Sequence, residues 1–206
     1  MSRADFFGTH ARERAARAVK AVEAQTSAEI VISVRPTSGN YRATDYHVGF
    51  VALGVVVAYL LVAPQVFTLG QIALEGVGAF VVGALLSANV APLRRRLVRR
   101  ATLQKNVEIA GRAAFYELGI SRTSGRNGLL VFVSAFERRC VVVPDIGIDL
   151  EALGAGYHEA CEAMDQAIAT LDLEAFAAAV ERLGPILEKT MPRAEDDVNE
   201  LPDEVQ

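Results

Sequence analysis

The feature that most constrains this sequence is a long stretch without basic residues. No Lys or Arg occurs from Val48 to Leu93, and the stretch contains one acidic residue. Two apolar runs, 48–69 and 76–93, each approach the roughly 20 residues that a helix needs to cross a hydrocarbon core. The stretch therefore predicts a transmembrane hairpin of two helices. Small residues in the second run, Gly78 and Gly83 among them, are expected to let the two helices approach closely.

Basic residues flank this stretch on both sides. Five arginines stand at positions 94, 95, 96, 99 and 100, seven Lys or Arg residues precede Val48, and the connection 70–75 has none. Because short cytoplasmic segments of membrane proteins carry an excess of Lys and Arg, both flanks are predicted to be cytoplasmic. The alternative is a pair of buried helices in a soluble helical core, since periodicity does not separate the two cases. A chain of 206 residues has little core in which to bury two such helices.

The flanking segments alternate between helical and strand patterns. Helices are predicted over 7–22, 103–118, 150–171 and 173–187, and strands over 29–34, 129–134 and 139–143. This order favours an α/β fold in which a small mixed sheet has helices on both faces and is assembled from segments on either side of the hairpin. The predicted organisation is the first part of a cytoplasmic domain at 1–47, a transmembrane hairpin at 48–93, the second part of that domain at 94–191 and a disordered acidic tail at 192–206.

The ending from Met191-Pro192 to Asn199-Glu-Leu-Pro-Asp resembles the tail of a bacterial membrane-anchored subgroup of the TPM domain family, which has a hairpin inserted in the domain. Four motifs resemble those of the TPM domain family as a whole. They are Thr26-Ser-Ala-Glu-Ile-Val-Ile, Phe115-Tyr-Glu-Leu-Gly-Ile-Ser-Arg-Thr, Asn127-Gly-Leu-Leu-Val-Phe-Val-Ser and Glu137-Arg-Arg-Cys-Val-Val-Val-Pro-Asp-Ile-Gly. The resemblance implies an α/β/α sandwich, and the predicted location of the protein is the bacterial inner (plasma) membrane, to which the hairpin anchors the cytoplasmic domain. The resemblance also suggests three functions, namely acid phosphatase activity, calcium binding and help in assembling membrane complexes.

Polar residues at the ends of the predicted strands form the candidate site, because loops beyond strand ends make the ligand crevice of open α/β sheets. Carboxylates that would bind a divalent cation such as calcium or magnesium are Asp145, Asp149 and Glu29. Groups that would bind a phosphate are Arg122, Thr123 and Arg126. Together they predict, as one alternative, a divalent-metal-dependent phosphatase of low activity.

Structural roles explain the same residues. Asp is favoured in turns and at helix N-caps, which accounts for Asp145 and Asp149, and Glu29 is expected to pair with a nearby basic group. No P-loop, Cys-x5-Arg or His-rich metal motif occurs in the sequence. The sequence therefore favours a non-enzymatic binding or assembly module whose partners are membrane lipids and another membrane protein. A nucleic-acid partner is not expected, since topology and anionic lipid explain the arginines. The oligomeric state is left open.

Overall fold

The computed structural model describes residues 8–193, 200 and 201. In chain order its elements are α1 (Thr9–Glu23), β1 (Glu29–Arg35), α2 (Arg42–Val62), α3 (Leu69–Asn89), α4 (Ala91–Leu97), α5 (Arg100–Glu117), a 3₁₀ turn (Ile120–Arg122), β2 (Gly128–Ser134), β3 (Arg139–Pro144), α6 (Leu150–Thr170), α7 (Leu173–Glu181) and α8 (Leu183–Leu187). The predicted acidic tail lies outside the described residues except at Pro192, Arg193, Glu200 and Leu201.

The chain forms two compact units. The first unit contains the residues up to Ser38 together with those from Gln104 onward, and the second unit is Gly39–Leu103. The first unit is therefore built from two segments that are far apart in the sequence. The second unit contains both long apolar helices, α2 and α3.

The first unit contains a three-stranded mixed sheet in the order β1-β2-β3. Strands β1 and β2 are parallel, with Glu29 opposite Gly128 and Arg35 opposite Ser134. Strands β2 and β3 are antiparallel and joined by a short turn, as the sequence predicts. The mixed α/β class is thus confirmed, and the partner of β1 comes from the chain segment beyond the apolar helices.

Alternate residues of β1 and β2 lie in two different hydrophobic clusters. Ile30, Ile32, Leu129, Val131 and Val133 belong to the larger cluster, which also contains residues of α1, α6, α7 and α8. Val31, Leu130 and Phe132 belong to a smaller cluster that contains residues of α5. Burial on both sides explains why these strands read as continuous apolar runs rather than as alternating patterns.

Helix ends in the first unit follow local sequence signals. Asp149 is the N-cap of α6, as predicted, and its side chain accepts from two backbone N–H groups of the first turn. Asp172 is the N-cap of α7 and accepts from the N–H of Ala175. The predicted helix 173–187 is split into α7 and α8 beside Gly184 and Pro185. Gly119, with φ of 69°, follows α5 in the left-handed conformation that glycine adopts without strain.

In the second unit, α2 and α3 pack closely at glycines. A Cβ atom at Gly49 would lie 2.8 Å from the carbonyl oxygen of Phe80, and one at Gly83 would lie 2.8 Å from the Cβ of Ala52. The prediction for Gly83 is confirmed, whereas the prediction for Gly78 is wrong, because no atom lies within 4 Å of a Cβ built there. Both helices also begin several residues before the predicted apolar runs, since their first turns include polar residues.

Candidate functional site

Four of the six predicted site residues lie at one edge of the sheet in the first unit, where β1 and β2 begin and β3 ends. At this edge the N–H of Glu29 donates to the carbonyl of Asn127 over 3.2 Å, and the N–H of Asp145 donates to the carbonyl of Gly128 over 2.9 Å. Thr123 and Arg126 belong to the loop that leads into Gly128. The predicted convergence at strand ends therefore holds for Glu29, Thr123, Arg126 and Asp145, while Arg122 and Asp149 lie in adjoining segments.

Asp145 is buried and paired with Arg126. The Arg126 Nε donates to Oδ2 over 2.8 Å, Nη2 donates to Oδ1 over 2.9 Å, and the N–H of Ile146 donates to Oδ1 over 2.7 Å. The hydrogen bonds from Arg126 lower the pKa of Asp145 most strongly, while burial opposes that change. The same pair raises the pKa of Arg126. Both oxygens of Asp145 thus have protein donors, which hold the loop before β2 against the end of β3.

The other two predicted metal-ligand carboxylates also accept backbone hydrogen bonds. Asp149 accepts from the N–H groups of Glu151 and Ala152 over 3.0 and 3.1 Å, as an N-cap does. Glu29 is buried and accepts from the N–H groups of Glu200 and Leu201 over 3.2 and 3.3 Å. Among the described residues, no group of three or more His, Cys, Asp or Glu side chains is arranged to hold a metal ion.

The predicted phosphate-binding residues share one loop but make different contacts. Thr123 is buried, and its Oγ1 accepts a hydrogen bond from the N–H of Asn127 over 3.2 Å. Arg122 is exposed within the 3₁₀ turn. Arg126 directs its guanidinium at Asp145. Both arginines are therefore exposed to solvent, and Arg126 also forms an ion pair with the buried Asp145.

Neither cysteine is activated as a nucleophile. Cys140 on β3 and Cys161 on α6 pack against the larger hydrophobic cluster. Burial raises the pKa of Cys140 and raises that of Cys161 to about 11. Since the thiolate is the reactive form, both groups are protonated and unreactive near neutral pH.

A buried polar cluster at the C-terminal ends of β1 and β2 was not predicted from the sequence. Glu137, which is 3% exposed, accepts hydrogen bonds from the Thr37 hydroxyl, the N–H of Ser38 and the Ser134 hydroxyl. The hydroxyls of Ser38 and Ser134 are 2.6 Å apart. These contacts tie the turn after β2 to the segment after β1. The Glu137 carboxylate is therefore satisfied inside the protein by two hydroxyls and one backbone N–H.

The second unit contains a further polar cluster that the sequence did not reveal, here called the hairpin ion pair. Asp45 in the first turn of α2 accepts from Arg94 Nε at Oδ1 over 2.8 Å and from Arg94 Nη2 at Oδ2 over 2.6 Å. The Ser87 hydroxyl of α3 donates to Oδ1 over 2.8 Å. In the sequence, Arg94 is only one of five arginines whose positive charge predicts the cytoplasmic side of the hairpin. The structure shows that Arg94 of α4 binds Asp45 of α2, and that Asp45 joins three helices of this unit because it also accepts from Ser87 of α3.

Helices α2 and α3 have the length and composition of membrane spans. Each contains 21 residues, and the most apolar 18-residue segment of each has a mean hydropathy of 1.8 and is only 11% buried. Large apolar side chains are highly exposed on this unit, including Leu61, Val62 and Leu74. A soluble core helix would be mostly buried, so these surfaces match a lipid environment better than water.

Comparison with known proteins identifies a shared fold. No protein-family model and no curated protein sequence matches this chain. Among solved structures, the chain is similar to the NMR structure of the BA42 protein from the psychrophilic bacterium Bizionia argentinensis. The identity is 14%, the TM-score is 0.56, and the match covers 96% of this chain and 92% of that chain. At this level of identity the similarity concerns the fold alone.

Proposed function

We propose that this chain is a multi-pass protein of the bacterial inner (plasma) membrane that acts as a non-enzymatic binding or assembly module. In this proposal α2 and α3 form a transmembrane hairpin, and the first unit is a cytoplasmic TPM-like domain that binds another membrane protein. The observation that carries the proposal is the exposed apolar surface of two 21-residue helices. Such a surface is unfavourable in water and favourable in contact with lipid.

The domain is proposed to be an α/β/α sandwich. Support comes from the two hydrophobic clusters, because residues of β1 and β2 alternate between a cluster with α1, α6, α7 and α8 and a cluster with α5. Successive side chains of a strand point to opposite faces of its sheet. Helices would therefore cover both faces, which matches the fold that the TPM resemblance implies.

The proposed topology predicts that both termini are cytoplasmic. Reporter fusions after Gln206 and at Gln65, in the connection between α2 and α3, should report opposite sides of the membrane, because arginines flank the hairpin and none occur in this connection. Alkaline phosphatase and a fluorescent protein would serve as paired reporters. Replacing Arg95, Arg96, Arg99 and Arg100 by glutamine should weaken this bias, whereas replacing Arg12 and Arg17 should not. A periplasmic signal from the C-terminal fusion would contradict the proposal.

The absence of catalysis is the second part of the proposal. It is supported by the contacts of Asp145, Asp149 and Glu29, since each accepts hydrogen bonds from protein groups that a metal ion would have to replace. The alternative remains a phosphatase of low activity with a calcium or magnesium cofactor. Metal-assisted phosphoryl transfer needs carboxylates arranged around the cation before the substrate arrives.

An activity assay separates the two functions. Purified protein with a generic phosphomonoester and Mg²⁺, Mn²⁺ or Ca²⁺ should give the same background as its Asp145→Asn variant. The variant keeps the shape of the side chain and removes its charge, and a thermal melt would establish that it is folded. Turnover that is well above background in the wild type and absent in the folded variant would make the phosphatase the primary function.

A further inference from the structure

The second unit contains a groove that is lined by residues of α2 and α4. Its volume is about 340 Å³, and it is lined by Thr44, His47, Val48 and Val51 of α2 and by Leu97 of α4. The four α2 positions follow the helical spacing that places side chains on one face. The volume is at the low end of the roughly 300–1,000 Å³ that small-molecule sites occupy. The groove is therefore large enough for part of a ligand such as one lipid chain.

The lining of the groove is amphipathic along α2. Thr44 and His47 are polar and lie nearer the start of the helix, while Val48 and Val51 continue the lining with apolar side chains. Val51 and Leu97 are 67% and 51% exposed, so the apolar part opens at the surface of the unit. His47 Nδ1 lies 2.6 Å from the carbonyl oxygen of Ala43, which leaves Nε2 as its second polar atom. A ligand that matches this lining has an apolar chain and a polar head.

The charges around the groove favour a negative head. Arg94 is neutralised by Asp45 in the hairpin ion pair. Arg96, Arg99 and Arg100 are exposed, and all three are within three positions of Leu97 in the sequence. Guanidinium groups bind phosphate oxygens in a bidentate manner. Positive charge next to an apolar groove is complementary to an anionic phospholipid rather than to a zwitterionic one.

We propose that this groove binds one anionic phospholipid. Its acyl chain lies along Val48, Val51 and Leu97, and its phosphate lies near His47 and the exposed arginines. The inference rests on the proposed membrane insertion and adds a specific lipid site to it. The binding of this lipid would fix α4 against α2 at the membrane surface, since the lining residues come from both helices.

Native mass spectrometry of the full-length protein in detergent tests the site. Phosphatidylglycerol and phosphatidylcholine with the same acyl chains are added in turn, and the fraction of protein that retains one lipid is measured. We expect about tenfold tighter retention of phosphatidylglycerol, which corresponds to about 1.4 kcal/mol. Val51→Trp should fill the groove and abolish this preference. The control is Val57→Trp, which is also exposed on α2 but lies about 120° around the helix from Val51.

The results distinguish a failure of the proposed lipid site from a failure of the proposed function. Equal retention of the two lipids, or equal retention by Val51→Trp and Val57→Trp, would overturn the lipid site while the topology reporters still show insertion. Reporters that show no insertion would overturn the proposed function itself. A combined Arg99→Gln and Arg100→Gln variant should lower the retention of phosphatidylglycerol about tenfold and leave that of phosphatidylcholine unchanged.

Discussion

Replacing Asp45 by alanine is expected to destabilise the packed hairpin unit by about 3 kcal/mol, because removal of one partner of a buried ion pair leaves the other charge uncompensated. The Asp45 side chain is 8% exposed and that of Arg94 is 23% exposed, so water would solvate the remaining guanidinium only in part. The Ser87 hydroxyl, which is fully buried, would lose its acceptor as well. Reversible unfolding in mixed micelles, followed by circular dichroism, would measure the change.

A matched control distinguishes pairing from a general effect of negative charge. Glu75→Ala removes an exposed acid from the same unit and is expected to change stability by less than about 0.5 kcal/mol. The double variant Asp45→Asn with Arg94→Gln should cost less than the sum of the two single variants, because their side chains interact directly. Additive effects in this cycle would show that the pair contributes no coupling.

The first unit is expected to fold without the apolar helices but not without β1. A protein in which residues 39–103 are replaced by a flexible Gly/Ser linker should be soluble and unfold cooperatively, whereas residues 104–206 alone should lack a cooperative transition. The reason is that β1 pairs with β2 along seven residues and contributes Ile30 and Ile32 to the larger cluster. Urea denaturation followed by circular dichroism would compare the two proteins.

Two point variants of β1 test whether this strand belongs to the core of the first unit. In the linker protein, Ile32→Asp places a charge at a position that is 2% exposed and should abolish the transition. Arg35→Ala at the end of the same strand breaks an exposed ion pair with Glu117 and should cost about 1 kcal/mol or less. A fragment from residue 104 onward that is as stable as the linker protein would show that β1 is not part of the core.

Local signals in the sequence account for most of the fold. The strands and the N-cap at Asp149 depend on neighbouring residues, and the structure agrees with the prediction for each. The two apolar helices are also found, although both begin and end several residues before the predicted runs. The contact at Gly83 and the lack of one at Gly78 depend on how α2 and α3 rotate about their axes, which composition does not define.

The polar clusters illustrate what sequence reasoning misses. Asp45 and Arg94 are 49 positions apart, and Glu137 and Ser38 are 99 positions apart, so no local spacing connects them. Asp145 was correctly identified as a polar residue at a strand end. Its partner Arg126 was also identified but assigned to a phosphate, since the sequence does not show that the two side chains contact each other.

The parallel pairing of β1 with β2 has a consequence for synthesis on the ribosome. Roughly ninety residues separate Arg35 from Gly128, so β1 leaves the ribosome well before its partner strand exists. At about 5–20 residues per second, this delay lasts several seconds or more. In the proposed topology the hairpin enters the bilayer during that time and brings its two ends to one membrane surface. Insertion would then shorten the loop that must close before the sheet forms, so the membrane would assist the folding of the first unit.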